Sequence, residues 1–211
     1  MNTNDAGRVY AAVVAAGVLA GGVAGCLPAT TAAPAGTPTT AAVAGLRVAP
    51  EDTGLRYDRE AWPHWSHQGR GCDTRESVLK TVGQNVETGK GCKVLAGRWV
   101  SAYDGVVVTD PGQLDLDHVV PLAEANRSGV RAWSEQQRER FANDPANLIP
   151  VTAKVNRARG DQDPGRWLPA RDRCGFLSRY VAVKRAYQLT VDPAEAEALR
   201  SGLARCPGGG R

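Results

Sequence analysis

Residues 114–118, Leu-Asp-Leu-Asp-His, alternate apolar and acidic positions with the period of an extended strand. Leu114, Leu116 and His118 would share one face of that strand, and Asp115 and Asp117 the other. Pro121 follows closely and cannot continue a central ladder, so the strand should break at the Asp117-His118 pair. A second apolar run, Asn147-Leu148-Ile149-Pro150-Val151, reads as a short buried strand. Thr152 then caps a helix, AKVNRARG, that stops at Gly160. Upstream, Asp73-Thr74 opens RESVLKTVG, a short helix ended by Gly83. Lys93 to Val108 alternates enough for strands, with turns expected near Gly97 and Asp104-Gly105. Downstream, LAEANRSG, SEQQRERFAND with Ser134 as cap, Cys174–Leu189, and PAEAEALRSGLA opening at Pro193 all read as helices. No internal repeat is visible.

The amino-terminal pattern differs. An Ala/Gly/Val-rich run from Val9 to Ala24 is shorter than the ~20 apolar residues a spanning helix needs, so residues 1–25 read as a secretory signal. Val23-Ala24-Gly25-Cys26 resembles a bacterial lipobox, in which cleavage precedes the cysteine and its sulfur carries a lipid. The competing reading is a plain secretory signal with an incidental Cys26. Residues 26–51 are low-complexity Ala, Thr and Pro, without the apolar bulk to offset ordering entropy, and read as a tether. That leaves 52–207, a length suited to one domain.

Composition adds little by itself. Lys plus Arg total 26 against 22 Asp plus Glu, which permits a polyanionic partner without requiring one. The five cysteines say more. Setting Cys26 aside leaves Cys72, Cys92, Cys174 and Cys206, an even set suited to two disulfides outside the cytoplasm. Three pairings are open; joining chain neighbours favours Cys72–Cys92 and Cys174–Cys206. The absence of a CxxC pair argues against a zinc cluster, and the absence of GxSxG against a serine hydrolase.

The candidate chemistry gathers around Asp117-His118. Asn147 follows 29 residues later and Asn156 nine residues after that. A strand ending in Asp-His, then a loop, an Asn-led strand and a helix bearing Asn resembles the ββα-metal module of HNH endonucleases. DHVVPL and NLIPVTAKVNRARGD are similar to that superfamily's local words, and the nine-residue Asn-to-Asn step resembles the HNH module of RNA-guided CRISPR effectors. Over residues 60–206, with RGCDTRESVL, DLDHVVPLAEA and NRARGDQDPGRWLP, the chain resembles secreted actinobacterial HNH proteins of the GmrSD C-terminal type. Arg159 stands where those relatives often carry Lys. The implied fold is α+β: a ββα-metal (His-Me finger) HNH core with added helices and a small β segment.

Residue chemistry is consistent with that resemblance. An imidazole titrates near neutrality, so His118 suits a general base. The Asp117 carboxylate and the Asn156 amide oxygen are hard donors suited to one divalent ion, Mg²⁺ first and Mn²⁺ second. The resemblance implies that Asn147 ties down the loop carrying His118. Arg157 and Arg159 flank Asn156 and are candidate phosphate ligands, against a solvated basic face. Arg75 is a third candidate if Cys72–Cys92 pins its segment near the site, against an ion pair with Asp73. In WPHWSHQ (62–68), His64 and His67 have ligand-like spacing and the tryptophans are able to stack bases; the plainer reading packs the tryptophans on the core. Trp99, Trp133 and Trp167 read as core, and Asp161 and Asp163 as a turn.

The sequence thus predicts an exported metal-dependent HNH endonuclease, either an outward-facing membrane lipoprotein or freely secreted. Its substrate would be DNA with low sequence specificity, with RNA as the alternative. Membrane contact would run only through Cys26, and no protein partner is inferred. The rival is a non-catalytic envelope lipoprotein that binds nucleic acid or a protein.

Overall fold

The computed structural model describes residues 43–206; the expected signal and Cys26 lie outside them. Two small antiparallel sheets and six α-helices give an α+β fold among these residues. The first sheet has the order β1 (Gln84–Thr88), β2 (Val94–Val100), β3 (Val107–Val108). The second pairs β4 (Leu114–His118) with β5 (Leu148–Thr152). The helices are α1 (Thr74–Val82), α2 (Leu122–Arg127), α3 (Glu135–Ala142), α4 (Ala153–Arg159), α5 (Arg173–Ala186) and α6 (Pro193–Ala204).

Side-chain caps explain most helix boundaries. The Asp73 carboxylate accepts from the Glu76 N–H to open α1, and the Gly83 N–H closes it on the Leu79 carbonyl. Reciprocal capping boxes open α3 (Ser134 with Gln137) and α6 (Asp192 with Glu195). Thr152 caps α4, and Gly160, at φ 61°, ends it in the left-handed region that glycine tolerates. One expectation fails in the first sheet, and one of its strands was not foreseen. No turn forms at Gly97; β2 runs through it, and the glycine is required because the Trp99 ring lies where a Cβ would stand. Strand β1, QNVET, has no alternating apolar signal because four of its five residues are exposed.

The main core joins α2, α3, α5 and α6 through residues such as Ala125, Phe141, Tyr180 and Leu199. It also takes in Val43 and Leu46, which corrects the boundary drawn at residue 52. Both side chains are buried, Val48 bridges Val191, and the Ala49 N–H donates to the Val191 carbonyl at 3.0 Å. Residues 43–51 therefore belong to the fold: a few aliphatic side chains amid Ala and Thr suffice to dock them. Within the core, the fully buried Lys184 ammonium on α5 contacts Glu124 on α2 at 2.6 Å and Glu195 on α6 at 3.0 Å. Disulfides join Cys72 to Cys92 and Cys174 to Cys206. The first fastens the segment before α1 to the turn before β2; the second ties the start of α5 to the end of α6.

Strands β4 and β5 run in unbroken antiparallel register from Leu114↔Thr152 to His118↔Leu148. Helix α4 follows β5 with no intervening residue. Leu116 and Leu148 pack on Val78 of α1, with Trp65 beside them, which anchors the pair to the body of the fold.

Candidate active site

Strand β4 ends at His118 because the next residues turn onto Asn147 instead of continuing the ladder. The Val119 N–H donates to the Asn147 main-chain carbonyl at 2.8 Å. The Val120 N–H donates to Asn147 Oδ1 at 2.8 Å, and Asn147 Nδ2 donates back to the Val120 carbonyl at 3.2 Å. Asn147 is fully buried, so its amide substitutes for the backbone partners that Val120 would otherwise lack. With the strand ended there, Asp117 and His118 line the same cleft although they alternate along β4. This open cleft of about 310 Å³ is also lined by Asn156, Arg157, Asp161, Tyr57 and Arg59.

The His118 ring is buried to 6% exposure, and it reaches the solvent side only as part of the cleft lining. Its Nε2 lies 2.8 Å from the Ala142 carbonyl oxygen. A carbonyl only accepts, so Nε2 carries the hydrogen, and in the neutral ring Nδ1 holds the basic lone pair. Trp65 stacks on the His118 ring at 5.8 Å between centroids, with the two planes within 8°. Burial, and then the positive charges of Arg59 and Arg159 among others, lower the His118 pKa to about 4. The ring is neutral at pH 7.

Asp117 is also nearly enclosed, and its Oδ2 accepts from the Tyr103 hydroxyl at 2.8 Å and from Arg159 Nη1 at 2.5 Å. Burial raises its carboxyl pKa, opposed by Arg159 and Tyr103. This placement corrects the expectation that Arg159 binds substrate phosphate. Arg159 is completely buried. Besides Asp117 it donates to the carbonyls of His118 (3.0 Å) and Val119 (2.6 Å), and its guanidinium lies over the rings of Tyr103, Trp167 and Phe176. Arg75 is likewise not a phosphate ligand. It donates to Glu76 and to the carbonyls of Pro111 and Leu114, at the far end of β4 from His118. Cys72–Cys92 does form, yet it does not bring Arg75 to the cleft.

Arg157 is exposed on the cleft wall and makes no ion pair among the described residues. Asn156, on the same helix, donates from Nδ2 to Asp115 Oδ2 at 3.0 Å, which leaves its amide oxygen as the donor atom for a cation. The Asp117 carboxylate and the Asn156 oxygen on one cleft are hard, oxygen-only donors, so these residues fit a small divalent ion of the Mg²⁺ or Mn²⁺ kind. A separate acidic group, Glu51, Asp163 and Asp192, has ligand atoms within 4.8 Å of one another, but none of the three lines the cleft.

The His64–His67 spacing builds no metal centre. His64 Nδ1 contacts the Trp62 carbonyl and its Nε2 faces Arg59 Nη2 at 3.2 Å, while His67 Nδ1 accepts from the Gly69 N–H. Trp62 and Trp99 are core residues. Asp161 pairs with Arg127 at 2.7 Å. Sequence reasoning passed over Tyr57, Arg59, Tyr103 and Asp115. Only Asp115 carried a signal, through its shared strand face with Asp117; the others come from loops without periodicity.

The family model described as "GmrSD restriction endonucleases, C-terminal domain" matches residues 73–201. A protein of Arthroderma benhamiae described as an "Uncharacterized secreted protein" is 40% identical over 177 residues, covering 82% of this chain and 87% of the relative. No solved structure matches. The match runs from α1 into α6 and includes the strand pair, α4 and every catalytic candidate on them: this chain belongs to the family of GmrSD restriction endonuclease C-terminal domains.

Proposed function

We propose that this protein is an exported HNH-type endonuclease that hydrolyses phosphodiester bonds in DNA with little sequence preference, using one divalent cation, Mg²⁺ before Mn²⁺. The observation that carries the reading is the His118 ring. It is neutral, its tautomer is fixed by the Ala142 carbonyl, and it shares a cleft with Asp117, Asn156 and Arg157.

In this reading His118 Nδ1 takes a proton from water as the water oxygen attacks phosphorus. The P–O3′ bond breaks, which leaves a 5′-phosphate and, after protonation from solvent, a 3′-hydroxyl. A base with a pKa of about 4 is weak. An arriving phosphate offsets the positive charges of Arg59 and Arg159 and raises its basicity when substrate is present. Asn147 keeps the His118 loop in place, and Arg157 holds backbone phosphate. Asp117 and Asn156 would hold the cation, which when bound supplies positive charge to the phosphate and the departing oxygen. Arg159 stabilises Asp117 in its ionised, ligating form.

Export agrees with the two disulfides and with the secreted relative. The lipid at Cys26 is proposed from the sequence alone. The test is supercoiled plasmid incubated with purified protein and Mg²⁺. Nicked and linear DNA with 3′-hydroxyl ends should form, and EDTA should abolish both. Intact plasmid under all divalent ions would overturn the proposal, and cleavage that survives EDTA would overturn its metal dependence.

A further inference from the structure

Residues 55–66 lie upstream of the family match, yet Tyr57 and Arg59 among them line the cleft. This strap is held along its length by side chains from the main body. Asn126 Nδ2 donates to the Leu55 carbonyl at 2.8 Å, and Arg138 Nε donates to the Ala61 carbonyl at 2.6 Å. The Asn143 amide bridges the Pro63 carbonyl and the Ser66 N–H, both at 2.9 Å. Trp62 anchors the strap in the core at 1% exposure. Asp58 accepts from the Glu60 N–H to open a 3-10 turn, Arg59–Ala61, that carries Arg59 at the cleft. Arg59 is therefore presented by a fixed support, which reduces the ordering cost of binding.

The charges of the cleft set what it attracts. Asp117 is neutralised by Arg159 and Asp161 by Arg127. Arg59 and Arg157 make no ion pair among the described residues, and both are exposed there. Arg59 Nη2 lies 3.2 Å from His64 Nε2. Arg59 lines the same cleft as His118. We infer that Arg59 is a backbone-phosphate ligand of the nucleic-acid substrate, working alongside Arg157 in the same cleft. This assignment rests on the nuclease reading above.

Arg56 is the built-in control. It lies three residues away on the same strap and is exposed, but it lines a different hollow with Asp58, Trp62 and Arg131. The experiment measures binding of a labelled DNA oligonucleotide to the full chain across a salt series, in a His118→Ala background so that substrate survives. Adding Arg59→Ala should reduce the slope of log K against log salt by about 0.7–0.9, the loss of one phosphate contact. Arg59→Lys should restore most of the slope, and Arg56→Ala should leave it unchanged. With His118 intact, Arg59→Ala should raise KM more than it lowers kcat. An unchanged slope in Arg59→Ala, or an equal loss in Arg56→Ala, would overturn the Arg59 assignment while leaving the nuclease reading. Failure of the His118→Ala protein to bind the oligonucleotide at low salt would overturn both.

Discussion

A neutral imidazole at position 118 depends on burial, on nearby positive charge, and on one carbonyl that holds Nε2 in its protonated form. Folding lowers its pKa from 6.5 to about 4, so the folded state binds fewer protons than the unfolded chain in that range. The resulting stabilisation, about 3 kcal/mol at most, is complete above pH 6.5 and is lost as the pH falls through 4. His118→Gln should therefore lose less melting temperature than wild type between pH 7 and pH 4, and parallel curves would contradict the burial argument. Arg159 gives a second prediction. Replacing it by Ala leaves Asp117 buried without its cation and should cost about 3–5 kcal/mol. Arg159→Lys, which keeps the charge without the fork that reaches two carbonyls as well, should cost about 1–3 kcal/mol. Neither change should alter the salt slope of DNA binding; an altered slope in a folded variant would return Arg159 to the substrate surface. The sequence proposed Asp117, His118, Asn156 and Arg157 as site residues, and all four line one cleft, because their spacing is local to one strand and one helix. It misplaced Arg159, since which side of a single-turn basic segment faces inward is decided by Tyr103, Trp167 and Phe176, distant in the chain.

At the scale of elements, the legible parts were those with a chemical stop or start. Asp73, Ser134, Thr152 and Asp192 announce α1, α3, α4 and α6 through caps that need only a few neighbouring residues. Strand β1 was hidden by its polarity, and Gly97 was misread because its glycine serves the Trp99 ring and not a turn. The two disulfides close loops with sequence separations of 20 and 32 residues. On the chain-entropy model each stabilises the fold by about 3 kcal/mol. Reductant, checked by thiol titration, should then lower the melting temperature by several degrees per bridge. An unchanged melting temperature after full reduction would contradict that contribution.

For the whole molecule, the α+β class follows from the order of strand and helix signals, but the amino-terminal limit does not. Val43 and Leu46 dock through contacts that composition conceals, and the strap at 55–66 brings Arg59 to a cleft whose chemistry lies more than fifty residues downstream. In the proposed function this cleft cleaves phosphodiesters through His118. The most direct measurement compares plasmid cleavage by wild type and His118→Ala in Mg²⁺, with circular dichroism showing both folded. The variant should be slower by about 10²–10⁴-fold, the contribution of a general base. Equal rates from two folded proteins would contradict it.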